Sequence, residues 1–362
     1  MKTIFFKIAL FLFLVPAVSG ASTTTETGKY TKTKKVTRSF DVNSNATLFV
    51  DNSYGNINIT SWDKNVIGIE VFIKTNGNDE QKVKEALDAI EISFSNSSSL
   101  VKAITSFEKK DSSWWDIFTG GSNINREINY LIKMPVTNHV DLSNDYGSIN
   151  IDKLSGNAKI NCDYGKMIIG ELLGNENYLN FDYTRNTVIG YIKKAKINAD
   201  YSEFEIEEIG YLDLNADYTS SKIKKVTELK FNCDYGDISV GKVRKLVGVG
   251  DYLGTKIGEV HGNVSLNLDY GSVDIEKLTS ETGIVKIESD YTGIKIGYDA
   301  ALAFNFHIQT SYGGIKGLKG LEISTEDKSS YETDFKGYNV SNGSGNVIEI
   351  NSNYGSVTFE RK

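Results

Sequence analysis

Proline is nearly missing from this chain, with two residues in 362. Beside 33 glycines, that scarcity suits many strands joined by tight turns. Histidine and cysteine are almost as rare, at three and two. His139, His261 and His307 stand far apart, with no cysteine pair or acidic cluster at ligand spacing, so no metal site is written here. No nucleophile motif and no phosphate loop occurs. Catalysis therefore lacks a constellation, and the expectation is a protein that is not an enzyme and carries no cofactor. Basic charge is in deficit: Lys plus Arg number 40 against 47 Asp plus Glu, a net charge of −7. An acidic surface argues against nucleic acid as partner and against simple adhesion to anionic lipid. Long apolar runs are missing too: beyond the first twenty residues no segment approaches transmembrane length.

Residues 1–20 have the pattern of a secretory signal peptide. Lys2 and Lys7 precede a short apolar run from Ile8 to Val15, and Pro16 to Ala21 supplies small residues for cleavage. No cysteine near that point offers a lipid anchor. The expectation is export to the periplasm, cell surface or extracellular space. Loss of Lys2 and Lys7 would take the charge from −7 to −9. The polar, Thr- and Lys-rich stretch at 21–36 reads as a flexible N-terminus.

What the chain has in abundance is one phrase. Asp145-Tyr146-Gly147 returns as Asp163-Tyr164-Gly165, Asp182-Tyr183, Asp200-Tyr201, Asp217-Tyr218, Asp234-Tyr235-Gly236, Asp251-Tyr252, Asp269-Tyr270-Gly271 and Asp290-Tyr291. Looser copies hold Tyr312, Tyr331 and Tyr354. The spacing is mostly 17 or 18 residues and widens after Tyr270. A period of this kind marks a repeat architecture. An apolar residue stands four before each tyrosine (Ile160, Leu179, Ile197, Leu214) and a small or apolar one two before (Cys162, Phe181, Ala199, Ala216). Alternation puts Asn161, Asp163, Asn180, Asp182, Asn198 and Asp200 on the opposite face. After the tyrosine the apolar positions fall three, five and eight residues on, an odd offset that demands a bend at the following Gly, Thr or Ser. Each rung is two or three short strands bent at corners. The same residue type in the same slot at every repeat argues for parallel stacking and against an antiparallel sandwich.

These columns carry the first expectations about side chains. The aspartates accept backbone N–H bonds at the corner, with a cation site as the rival. The asparagines form an amide ladder between rungs. The tyrosines share the apolar face and stack, with an exposed binding stripe as the alternative. Cys162 and Cys233 occupy one slot four rungs apart, about 19 Å at strand spacing, so they remain free, buried thiols.

Before the repeats, Asn52-Ser53-Tyr54-Gly55 is an isolated copy, 92 residues ahead of Tyr146. The segment between differs in kind. Ile67 to Ile73 alternates as a strand. Asn78 or Asp79 offers an N-cap to a helix through Val83, Ala86, Leu87 and Ile90. The stretches 90–94, 100–107 and 128–134 read as strands. Between them lies a polar loop holding Trp114, Trp115 and Phe118, either a lid on the open end of the stack or a partner-binding loop. The chain divides into a signal peptide (1–20), a flexible N-terminus (21–36), first strands (37–62), an α/β capping insert (63–141) and repeats (142–362). The expected fold is all-β: a parallel β-solenoid resembling a single-stranded right-handed β-helix, 17–21 residues per rung, with a small N-terminal α/β cap.

The insert, the early Tyr-Gly rung and the Met134-Pro135 step into the repeats resemble the bacterial "putative adhesin" β-solenoid families, related to the head GIN domain group. The resemblance covers about residues 37 to 362. It implies an exported binding or adhesion module and brings no active-site residues with it. Candidate contact residues are Trp114, Trp115, Phe118, Asn161, Asp163, Asn180, Asp182, Asn198 and Asp200. A glycan, a cell-envelope polymer or a surface protein is the expected partner. A polysaccharide-active β-helix enzyme and a purely structural envelope protein are the alternatives.

Overall fold

The computed structural model describes residues 28–108 and 124–362. The expected signal peptide and the loop bearing Trp114, Trp115 and Phe118 lie outside the described residues. Within them, 26 strands share one large, mostly parallel sheet, and a single helix accompanies it. The sheet is mixed, because antiparallel pairs close both ends.

In the middle of the molecule the repeats run as long strands, Thr187–Asp200, Glu203–Asp217, Ser220–Asp234, Gly236–Asp251 and Leu253–Asp269. Each lies parallel to the next with like residues side by side. Asn198, Asn215 and Asn232 form one column, Ala199, Ala216 and Cys233 a second, and Asp200, Asp217 and Asp234 a third. Period-two alternation sends one face inward, so Ile197, Leu214, Phe204, Ile206, Ile209 and Val226 are buried. The positions predicted to be apolar before and after each tyrosine form the core. Where one repeat carries a large residue its neighbour yields: Phe231 lies beside Gly248, and a Cβ on Gly248 would collide with the Phe231 ring. Cys162 and Cys233 are buried and free.

The N-terminal end extends the same sheet. Thr47–Ser53 lies between Leu100–Phe107 and His139–Asp145, all parallel. Ile57–Trp62 lies between Asn125–Pro135 and Ser148–Leu154. Strands of the expected insert thus add further parallel members. Val66–Gly77 then pairs antiparallel with Asn125–Pro135 and with Tyr30–Asp41. The stretch read as flexible up to residue 36 is therefore a strand from Tyr30 onward. Its polar, lysine-rich sequence suits a guarded sheet edge as well as it suits a loop, while Val36 and Phe40 pack against the core. The helix spans Glu80–Asp88, with the Asp79 carboxylate accepting the Lys82 N–H. Val83, Ala86 and Leu87 form its buried face. Ile90 opens the next strand, Ile90–Asn96, instead of ending the helix.

The C-terminal end departs from chain order. Val347–Asn353 pairs parallel with Ile284–Asp290 on one side and Phe304–Ser311 on the other. Val357–Arg361 likewise lies between Gly293–Tyr298 and Ile315–Lys316. The last strands are inserted one place inward, so the spatial order is Tyr291, Tyr354, Tyr312. Outside Phe304–Ser311, Glu332–Asn339 and then Glu322–Lys328 add antiparallel strands. Glu322–Lys328 is exposed along its whole length and carries Glu322, Glu326, Asp327 and Lys328. This end is therefore finished by a charged edge, which discourages pairing with another chain.

Candidate functional site: a tyrosine column beside an acidic column

Each repeat turns at its tyrosine. The strands stop at the preceding aspartate, and twelve ladder tyrosines, from Tyr54 to Tyr354, adopt φ between 52° and 63°. For an L-residue with a side chain this left-handed conformation costs about 1–2 kcal/mol. It also breaks the in-out alternation at the tyrosine itself. The expectation that tyrosine shares the apolar face is thereby corrected: the backbone flips there, and the rings emerge on the outside, about half exposed.

The emerging rings form a continuous stack in the order Tyr54, Tyr146, Tyr164, Tyr183, Tyr201, Tyr218, Tyr235, Tyr252, Tyr270, Tyr291, Tyr354, Tyr312. Neighbouring centroids are 4.7–5.4 Å apart and the planes agree within 10°. Phe107 meets the first ring edge-on, and Tyr331 leans at 38° on the last. Offset stacking is worth about 0.5–1.5 kcal/mol per pair, so each pair roughly offsets the backbone strain of one corner. Burial raises the pKa of Tyr164, Tyr201, Tyr235 and Tyr270, and the neighbouring phenols raise it further.

The corner satisfies its own backbone. The N–H of Tyr201 donates to the Asp217 carbonyl at 3.0 Å, and Tyr218 repeats the bond to Asp234. After the tyrosine stands glycine or a hydroxyl residue, except at Tyr252, which Leu253 follows. A Cβ on Gly165 would collide with the Gly147 carbonyl. Where Thr219 stands instead, its Oγ1 accepts the Ser202 N–H at 3.1 Å and lies 2.9 Å from the carbonyls of Ala199 and Asp217. Ser202 does the same for Thr184. The exchange of glycine for Thr or Ser one residue after most ladder tyrosines is a sequence signal for this network, read beforehand only as a bend.

Beside the tyrosines runs the acidic column. One carboxylate oxygen of Asp163 accepts the N–H of Asp182 at 3.1 Å, Asp182 that of Asp200 at 3.2 Å, and Asp200 that of Asp217 at 3.1 Å. This is the predicted corner role, acting between repeats. Partial burial raises the pKa of Asp145, Asp182 and Asp251. Like charge from column neighbours adds to the rise, while the Asp200 N–H works against it at Asp182. Among the described residues, Asp163, Asp182, Asp200, Asp217, Asp234, Asp251 and Asp269 form no ion pair. Asn161, Asn180, Asn198, Asn215 and Asn232 stand in register with one another, two residues before each aspartate on the same face. The Asn232 amide donates to Asn215 at 3.2 Å, but among the described residues the other neighbouring pairs of this column share no amide bond, so the expected continuous ladder does not form.

Elsewhere the repeated acids are matched. Lys222 pairs with Glu205 at 3.0 Å, Lys225 with Glu208 at 2.8 Å, Lys242 with Glu259 at 2.8 Å and Lys153 with Glu171 at 2.8 Å, each between adjacent repeats. Sequence reading missed these pairs, although their 17- or 18-residue spacing was visible. It also missed Asn52 and Asn144, buried at the N-terminal end, where the Asn52 amide donates to Asn144 at 2.9 Å. The histidines serve local contacts: His139 accepts the Asn157 N–H, His261 lies beside Glu259 and His307 beside Asp334. Among the described residues no three His, Cys, Asp or Glu side chains gather to hold a metal, and no helix is long and apolar enough to cross a membrane. A polar cleft of about 390 Å³ lies near the C-terminal end of the tyrosine column, lined by Tyr312, Tyr331, Tyr354, Ser329 and Ser330 among others.

No family model matches the sequence, and no curated protein does. The chain is similar to several solved structures. One is a "putative cell adhesion protein" from Clostridium sporogenes: 12% identity, 91% of this chain and 100% of that one covered, TM-score 0.18. A "putative adhesin" from Parabacteroides merdae shows 11% identity over 90% of this chain and 96% of that one, TM-score 0.33. A "putative lipid binding protein" from Parabacteroides distasonis shows 10% identity over the same shares, TM-score 0.30. At such identities and scores, nothing about binding passes from those proteins to this chain.

Proposed function

We propose that this chain is an exported, non-enzymatic, adhesin-like protein whose repeats wind as a β-solenoid and whose corner surface binds a repetitive polymer of the cell envelope or a glycan. The observation that carries the proposal is the outward pairing of two polar columns, tyrosine and unpaired aspartate, repeated at strand spacing. Identical weak contacts in a row reward a partner that is itself repetitive, because each engaged unit raises the effective concentration of the next.

Ring stacking narrows the chemistry. Faces of the internal tyrosines are covered by their neighbours, so aromatic-face stacking on sugars is closed to them. Phenol hydroxyls, carboxylates and amides remain, and these recognise a hydroxyl- or amine-bearing chain by hydrogen bonds. The cationic start and short apolar run of residues 1–20 support export.

The test is binding of the full chain to a length series of envelope glycans, by array and calorimetry. Affinity should climb steeply with polymer length and vanish for the single sugar. Equal affinity for monomer and polymer, or no binder in a broad array, would overturn the proposal.

A further inference from the structure

We propose that the tyrosine column is a site of oxidative cross-linking, at which neighbouring repeats become joined by dityrosine bonds. One-electron oxidation of a phenol removes an electron and a proton and leaves a radical whose spin lies partly on the ring carbons ortho to oxygen. Two such radicals couple when their rings meet. In this molecule they already meet: from Tyr146 to Tyr312 the ring centroids stand 4.7–5.1 Å apart and the planes agree within 10°. The rings are also about half exposed, so an oxidant in solution touches them directly.

The balance is simple. Two phenols each give up one electron and one proton. One carbon–carbon bond forms between ortho positions, and the two ring protons at that bond move to the oxygens, restoring both phenols. The net loss is two hydrogens per link. Hydrogen peroxide acting through a haem peroxidase takes both electrons and both protons and leaves two waters. The ring centres of a biaryl lie nearly as far apart as two strands of a sheet, about 4.8 Å. Coupling therefore needs two surface rings to rotate out of cofacial alignment, while the backbone stays in register.

The molecule carries its own control. Tyr178 is 51% exposed, as much as the column rings, but the residues in register beside it are not tyrosines: Lys196 stands on one side. Exposure alone would oxidise Tyr178 and the column alike, whereas proximity selects the column.

The experiment treats the dilute, full-length chain with peroxidase and hydrogen peroxide. The expected result is dityrosine emission from a chain that stays monomeric on a denaturing gel. Peptide mapping should find links between consecutive column members, such as Tyr201 to Tyr218 and Tyr218 to Tyr235, and none to Tyr178. Tyr218→Phe keeps the ring stack and should lose those two links alone, leaving Tyr252 to Tyr270 intact. Absence of dityrosine, links only between chains, links to Tyr178 at the frequency of the column, or an unchanged pattern in Y218F would each overturn the proposal.

Discussion

Tyrosine at a left-handed corner is an unusual choice, since glycine would adopt that backbone without strain. Twelve repetitions mean that the ring itself is being kept. Tyr218→Ala should lose two stacking contacts and cost about 1–3 kcal/mol, still with a side chain at positive φ. Tyr218→Gly loses the same contacts but sheds the strain, so it should be more stable than the alanine variant by about 1 kcal/mol. Urea unfolding of both measures the difference, and a glycine variant no better than alanine would refute the strain assignment. The phenols also set an alkaline limit. Their pKa values are raised in the fold, so above the ordinary tyrosine range near 10 the unfolded chain loses protons first. Stability should then fall as pH rises, and absorbance of tyrosinate should appear later in the native titration than in urea. The thiols follow similar logic: burial pushes Cys162 and Cys233 up to about 12. Alkylation at neutral pH should leave both intact in the native chain and label both on unfolding. The cysteine slot was legible in the sequence because a column position is a matter of counting. The left-handed tyrosine was not, because a one-residue phase shift is satisfied equally by a bend at the tyrosine or just after it.

The strands show where counting stops. Faces, buried columns and parallel register followed from alternation and period. The order at the C-terminal end did not, because Val347–Asn353 carries the same pattern as its neighbours and fits beside any of them. Its inserted place has a measurable consequence. A chain ending at residue 345 should leave Ile284–Asp290 and Phe304–Ser311 without their shared partner. Hydrogen exchange should then show protection lost across 304–339 and retained across 187–269. Uniform protection, or uniform loss, would contradict that dependence. Among the side-chain pairs, Lys224 bridges Glu205 and Glu207 of the previous repeat. The three groups are about half exposed or less, so the pairs guide register more than they add stability, which for exposed pairs is about 0–1 kcal/mol each.

At the scale of the molecule, the repeats should be exchangeable. Glu203 lies beside Ser220 in the parallel register, so removing residues 203–219 joins Ser202 to Ser220 and presents the same columns to each neighbour. That shortened chain should fold with an unchanged β-type circular dichroism spectrum and lose only the contribution of one repeat, since stability in such arrays is close to a sum of neighbour contacts. Removing residues 203–210 instead puts every later column out of phase and should abolish cooperative unfolding. A folded out-of-phase chain would refute the register as the organising constraint. The inserted last strands carry one more consequence, which concerns timing. A chain made from its N-terminus onward can pair its middle repeats as they emerge, each against the one just finished. Thr47–Ser53 can pair first with Leu100–Phe107 but must wait for its second partner, His139–Asp145, and Phe304–Ser311 can pair with Glu332–Asn339 but must wait for Val347–Asn353. The two ends of the molecule thus close on a delay set by the length of chain still to come, and residues 347–362 act as the latch.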